Sequence, residues 1–146
     1  MKHVIVVSME DTMHISEISK LFVEANISKQ KTLNYKVNRF QKYVRYPIDK
    51  KTWGIYFIYL EDGRLAYIGE TINSILKRIA RHKKSMNNPT WSGERSGYKF
   101  VKNDLQDEDF VIKYIMAEDL NITTKHDLLA VEGLFVQHLK PIVYSE

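Results

Sequence analysis

Tyr56, Tyr67, Arg78 and His82 fall within one short stretch of this 146-residue chain, and Glu132 follows on a later apolar segment. Two phenols, a guanidinium, an imidazole and a carboxylate are side-chain types that can move a proton beside a bound anion. Whether they can do so here depends on the elements that carry them.

Gly54-Ile55-Tyr56 and Tyr67-Ile68-Gly69 flank an Asp62-Gly63 pair. Trp53 to Leu60 is an unbroken apolar and aromatic run, and Arg64 to Ile68 reads as a shorter return strand, the composition that fits a pleated, buried surface. Asp-Gly between two such runs predicts a hairpin with a type I′ turn. Glu61 then pairs with Arg64, paired residue numbers sum to 125, and Tyr56 falls opposite Gly69 while Tyr67 falls opposite Ile58. The two tyrosines therefore share a face as diagonal neighbours, about 7–8 Å apart at the backbone. Gly69, with no side chain, leaves space over the Tyr56 ring. Such a pair is either plain packing or the wall of a site.

Behind the hairpin, Thr71 reads as an N-cap, with Ile72, Ile75, Leu76 and Ile79 at helical spacing. On a helical wheel Ser74, Arg78 and His82 line the border of that stripe, and Lys77 and Arg81 point more toward solvent. Arg78 and His82 are thus i,i+4 neighbours on a half-buried edge, facing the same cleft as the tyrosines. A later helix opens at Thr124, with Asp127 three residues on as in a capping box, and ends before Pro141. Leu128, Val131, Phe135, Val136 and Leu139 line one face of it, and Glu132 lies inside that stripe. A carboxylate there is costly unless it is paired or binds a metal. Either an ion pair with Arg78 or a lysine, or a metal, accounts for it. Gly133 removes a side chain beside it and allows close approach of another element or a ligand.

The ordered set Gly54-Ile55-Tyr56, Tyr67-Ile68-Gly69-Glu70-Thr71, Asn73-Ser74-Ile75, Arg78, His82 and Glu132 resembles the catalytic core of the GIY-YIG nuclease superfamily over about residues 52 to 144. The resemblance implies an α+β fold, a small three-stranded antiparallel sheet flanked by helices, with Phe110 to Met116 as the third strand. The resemblance leaves the first fifty residues unexplained; their own patterning reads residues 1–51 as an N-terminal, mainly helical basic extension packed on the core, with residues 52–146 the nuclease domain and the whole forming one compact unit. The activity that the resemblance implies is DNA endonuclease, with one magnesium or manganese ion per site. Tyr56 would be the general base, Tyr67 would orient the nucleophile or phosphate, and Arg78 would hold a phosphate oxygen. His82 would either hydrogen-bond Tyr56 or relay a proton, and Glu132 would be the protein's metal ligand. The alternative is a non-catalytic nucleic-acid-binding domain that keeps the fold, since Tyr144 stands where many members carry an asparagine three residues after the terminal proline.

Charge placement agrees with a DNA partner. The formal net charge is +4, but residues 28–51 hold eight basic side chains against Asp49 alone, and residues 70–102 hold eight against Glu70 and Glu94. Residues 103–146 carry nine acidic side chains against three basic ones. A phosphate-tracking face opposite a solvated acidic one would look like this. Lys36, Arg39, Lys42, Arg45, Lys77, Arg81, Lys83, Arg95 and Lys99 are the candidate DNA contacts. Leu33, Val37, Phe40 and Val44 recur at helical intervals within the first basic block, which reads as a helix packed on the core or laid along a DNA backbone. Before it, Val4 to Val7 reads as a short strand and Ile15 to Ala25 as an amphipathic helix. Asn87 to Gly97 reads as a loop.

No cysteine is present, which excludes disulfides and cysteine-zinc sites and fits a cytoplasmic, intracellular setting. The histidines, at positions 3, 14, 82, 126 and 138, show no metal-protease spacing. Nothing approaches a signal peptide or a membrane span. A short chain with specificity built into the core reads as a restriction-type or phage-type nuclease, and palindromic targets would suit a homodimer.

Overall fold

In the computed structural model, which describes residues 15–37, 53–72, 75–87, 96–105 and 108–143, the organising element is the hairpin of β2 (Gly54–Leu60) and β3 (Leu65–Thr71). Tyr56 pairs with Gly69 and Ile58 with Tyr67, the register that sums to 125. Beyond Ile58 the register slips by one, so that Tyr59 faces Leu65. The turn is therefore not type I′. Gly63 N–H donates to Leu60 O at 3.0 Å, Gly63 takes φ +93°, and Asp62 keeps a negative φ. Asp62 selects this form, because its carboxylate accepts from the Arg64 backbone N–H at 3.0 Å and from Arg64 Nε at 2.8 Å. The result is a type I turn followed by a left-handed glycine.

β4 (Phe110–Met116) pairs antiparallel with β2 along its whole length. Its other edge is covered by β1 (Lys31–Val37), giving a sheet in the order β1-β4-β2-β3. Four strands thus replace the expected three, and the N-terminal segment contributes a strand to the sheet. Leu33 and Val37 are four residues apart, a spacing that serves a helix turn and a strand face equally well. The strand wins because the edge of β4 would otherwise present an unpaired ladder. The continuation of that pattern, Phe40 and Val44, lies outside the described residues, as does the Val4 to Val7 strand.

Alternation along β2 divides the core. Tyr56, Ile58 and Leu60 pack with Tyr67, Ile75, Ile79 and Phe100 on the face covered by α2 (Ile75–Asn87) and α3 (Ser96–Lys102). Ile55 and Phe57 pack with Ile68, Leu128 and Phe135 on the other face, under α1 (Ile15–Asn26) and α4 (Lys125–Leu139). α2 starts later than its apolar spacing suggests, since Thr71 pairs with Gly54 as the last residue of β3. Thr71 is thus a strand residue. α3 begins inside the segment read as a loop. α4 matches its signals: Thr124 Oγ1 accepts from Asp127 N–H at 3.1 Å, and Lys140 turns left-handed ahead of Pro141.

Candidate active site

β3 is an outer strand of the sheet, so side chains from α2 on one face and α4 on the other can meet beyond its edge. Tyr56 and Tyr67 project toward α2, with ring centroids 6.1 Å apart. Both are buried, at 0% and 3% exposure. Gly69 makes this possible, because a Cβ there would overlap Cζ and Oη of Tyr56. Ile75, Ile79 and His82 form the buried stripe of α2, with Arg78 half-buried beside them.

Tyr56 Oη lies 2.5 Å from His82 Nε2 and accepts from Arg78 Nε at 3.2 Å. Tyr67 closes the group with its ring 4.7 Å from that of His82, edge to face. Behind Tyr67 stands Phe100 of α3, at 5.9 Å between centroids. Burial, then the charges of Arg78 and Arg81, lower the His82 pKa to about 3, so the imidazole is neutral across the physiological range.

Glu132 on α4 is half-buried, as its place in the apolar stripe suggests. Burial and the neighbouring charge of Glu70 push its pKa up to about 7, and the charge of Arg78 opposes them. The Arg78 relation means that Glu132 and the α2 group feel one another across the β3 edge. Glu70 was not among the candidates. Its signal was present in the register, which pairs it with Ile55 and so turns it to the α4 face, opposite to Tyr56. A Cβ added at Gly133 would meet nothing within 4 Å, so among the described residues no other element of the protein approaches it closely.

Of the remaining candidates, Arg81 lies near enough to His82 for its charge to act on it. Arg81 is exposed on α2 and Lys99 half-buried on α3. Lys36 lies on β1 and Lys77 and Lys83 on α2, but their side chains are outside the description, and Arg39, Lys42, Arg45, Arg95 and Tyr144 lie outside the described residues.

The GIY-YIG catalytic domain matches residues 52–141, more than half of the chain. The chain belongs to the GIY-YIG family. No curated protein and no solved structure matches it. As a GIY-YIG protein it carries a nuclease-type catalytic domain, and the match runs from just before β2 to just past the end of α4.

Nucleases of the GIY-YIG family typically depend on a divalent metal, and the donors here fit a hard one. Glu132 and Glu70 place excess negative charge at the site, which Arg78 offsets only in part. Among the described residues no group of three or more His, Cys, Asp or Glu could form a cage. One or two carboxylates, completed by water and phosphate oxygens, suit magnesium, which gives up its hydration shell reluctantly. No helix among the described residues is long and apolar enough to cross a membrane.

Proposed function

We propose that this GIY-YIG protein is a divalent-metal-dependent DNA endonuclease in which Tyr56, Tyr67, Arg78, His82 and Glu132 hydrolyse a phosphodiester. The observation that carries the reading is Tyr56 Oη held between His82 Nε2 at 2.5 Å and Arg78 Nε at 3.2 Å. A phenol with a reference pKa of about 10 is a weak base at neutral pH. Two neighbours remedy that. Arg78 donates into the oxygen and favours its phenolate character, while the neutral imidazole lies within hydrogen-bond reach of the phenolic proton.

Tyr56 takes a proton from the attacking water and passes its own to His82 as the water oxygen bonds to phosphorus and the bond to the leaving oxygen breaks. In the protein without DNA the imidazole is a poor acceptor, with its pKa at about 3. Burial is the larger cause of that depression and the cationic charge of Arg78 the next; a phosphate anion at Arg78 offsets the second and so raises the imidazole's basicity in part when the substrate is in place. Arg78 spreads its planar fork toward the phosphate oxygens and balances the charge that builds on them. Tyr67, packed between His82 and Phe100, orients the nucleophile or the phosphate. Glu132, with Glu70 beside it, would hold the magnesium or manganese ion, which when bound stabilises charge on the leaving oxygen.

Nicking of supercoiled plasmid in magnesium tests the reading. Wild type is expected to convert plasmid to open-circle or linear DNA, and Glu132→Ala and Arg78→Ala to lose that activity. Absence of cleavage at every protein concentration, or equal cleavage by the variants, overturns it.

A further inference from the structure

A cavity of about 300 Å³ opens between the end of α3 and the segment after α4, lined by Lys99, Lys102, Asn103, Ile142 and Val143. We infer that it is a second phosphate-binding subsite, which seats a sugar-phosphate of the substrate DNA strand close to the scissile bond. The inference rests on the endonuclease reading above.

The walls of the cavity are fixed. Ile142 and Val143 run along the outer edge of β3, their N–H groups donating to Leu65 O at 3.1 Å and Ala66 O at 2.8 Å. On the other side, Asn103 Nδ2 donates to Lys99 O at 2.7 Å, and Asp104 turns left-handed at φ +60° to close the last turn of α3. Two lysines, an asparagine and two aliphatic residues line it, and none of the five is acidic. Lysines supply the compact point charges that a phosphate needs, while the half-buried Ile142 offers an apolar surface for the face of a deoxyribose.

Its position ties the cavity to the catalytic cluster. Lys99 precedes Phe100, which packs on Tyr67 at 5.9 Å, and Ala66, which holds Val143, precedes Tyr67. Each wall is therefore one residue from a direct neighbour of Tyr67, or Tyr67 itself. Consecutive Cα atoms are about 3.8 Å apart, so both walls lie close to Tyr67. The phosphate seated there is therefore close to the scissile one along the same strand. Glu70 lies at the opposite end of β3, so the strand would run along the β3 edge from the Glu132 side to the lysines.

The test is the binding of a fluorescein-labelled, mixed-sequence 30-bp duplex, followed by anisotropy in calcium from 50 to 200 mM KCl. Lys99→Gln/Lys102→Gln and Asn103→Trp are compared with wild type after each variant is shown to keep its thermal transition. The first removes the charges, and the second fills the cavity and leaves the charge unchanged. Expected for the first is a roughly tenfold weaker Kd and a log–log salt slope smaller by about 0.9, the value for one phosphate contact. For the second, a several-fold weaker Kd is expected. An unchanged Kd and slope in Lys99→Gln/Lys102→Gln overturns the subsite, and so does unchanged binding by Asn103→Trp, which would make the lysines diffuse surface charge. A wild type that binds no duplex at all fails the endonuclease reading instead.

Discussion

Gly69 stands directly opposite Tyr56 in the β2–β3 ladder, and the space its missing side chain leaves is filled by the tip of the Tyr56 ring. The glycine is there for room, since Gly63 and not Gly69 is the glycine with a positive φ. Gly69→Ala must move the ring away from His82 and Arg78 or displace the strand. Nicking activity is expected to fall at least a hundredfold, with a loss of about 1–3 kcal/mol in denaturant unfolding from overpacking. An alanine variant with wild-type activity would show that the placement of Tyr56 is immaterial.

His82 and Glu132 give opposite pH dependences to stability. His82 has its folded pKa depressed to about 3, so between there and about 6.5 the unfolded chain binds more protons and stability falls as pH falls. Glu132 has its pKa raised to about 7, so between about 4.5 and 7 the folded chain binds more protons and stability falls as pH rises. In the shared window, about pH 4.5 to 6.5, the two contributions oppose each other. Glu132→Gln is expected to unmask the His82 slope, at most about 1.4 kcal/mol per pH unit. It should also unfold at higher temperature than wild type at pH 8 in chelator. Thermal scans from pH 4.5 to 8 read both effects.

If Glu132 holds the cation as proposed, protons and cations compete for it. Below pH 7 the carboxylate is mostly protonated, so manganese binding followed by calorimetry should weaken by up to about tenfold per pH unit on acidification. Glu70→Gln removes the like charge beside Glu132 and should move that transition to lower pH. Glu132→Ala should abolish the heat of binding. A pH-independent affinity in wild type would place the cation elsewhere.

Gly133 sits on α4 with open space where a side chain would be. Gly133→Ala should therefore stabilise the protein by about 1 kcal/mol, the helix-interior difference between the two residues. Chemical denaturation measures it, and a destabilised variant would contradict the open surface.

Much of this geometry was legible in the chain because pairing arithmetic is rigid. Once Asp62-Gly63 marked the turn, Tyr56 faced Gly69, and helical spacing put Arg78 and His82 on one edge. A slip at Tyr59 altered the turn without disturbing the tyrosines, which lie on its far side. β1 was hidden because Leu33 and Val37 satisfy two periodicities at once. Phe100 was hidden for a different reason: its partner, Tyr67, is distant in sequence, and no local pattern announces such a contact. Glu70 was visible by register, but a lone carboxylate on an outer strand has no distinguishing spacing. Its relation to Glu132 exists only once α4 is packed on β3.

Tyr56→Phe keeps the ring that fills the space over Gly69 and deletes only the oxygen shared by His82 and Arg78. The most direct measurement is therefore the single-turnover nicking rate of supercoiled plasmid by Tyr56→Phe at saturating magnesium, with duplex affinity measured alongside. If Tyr56 is the general base, the rate falls by about 10²–10⁴, the usual contribution of general acid–base catalysis, with affinity unchanged. Cleavage at the wild-type rate would contradict that role.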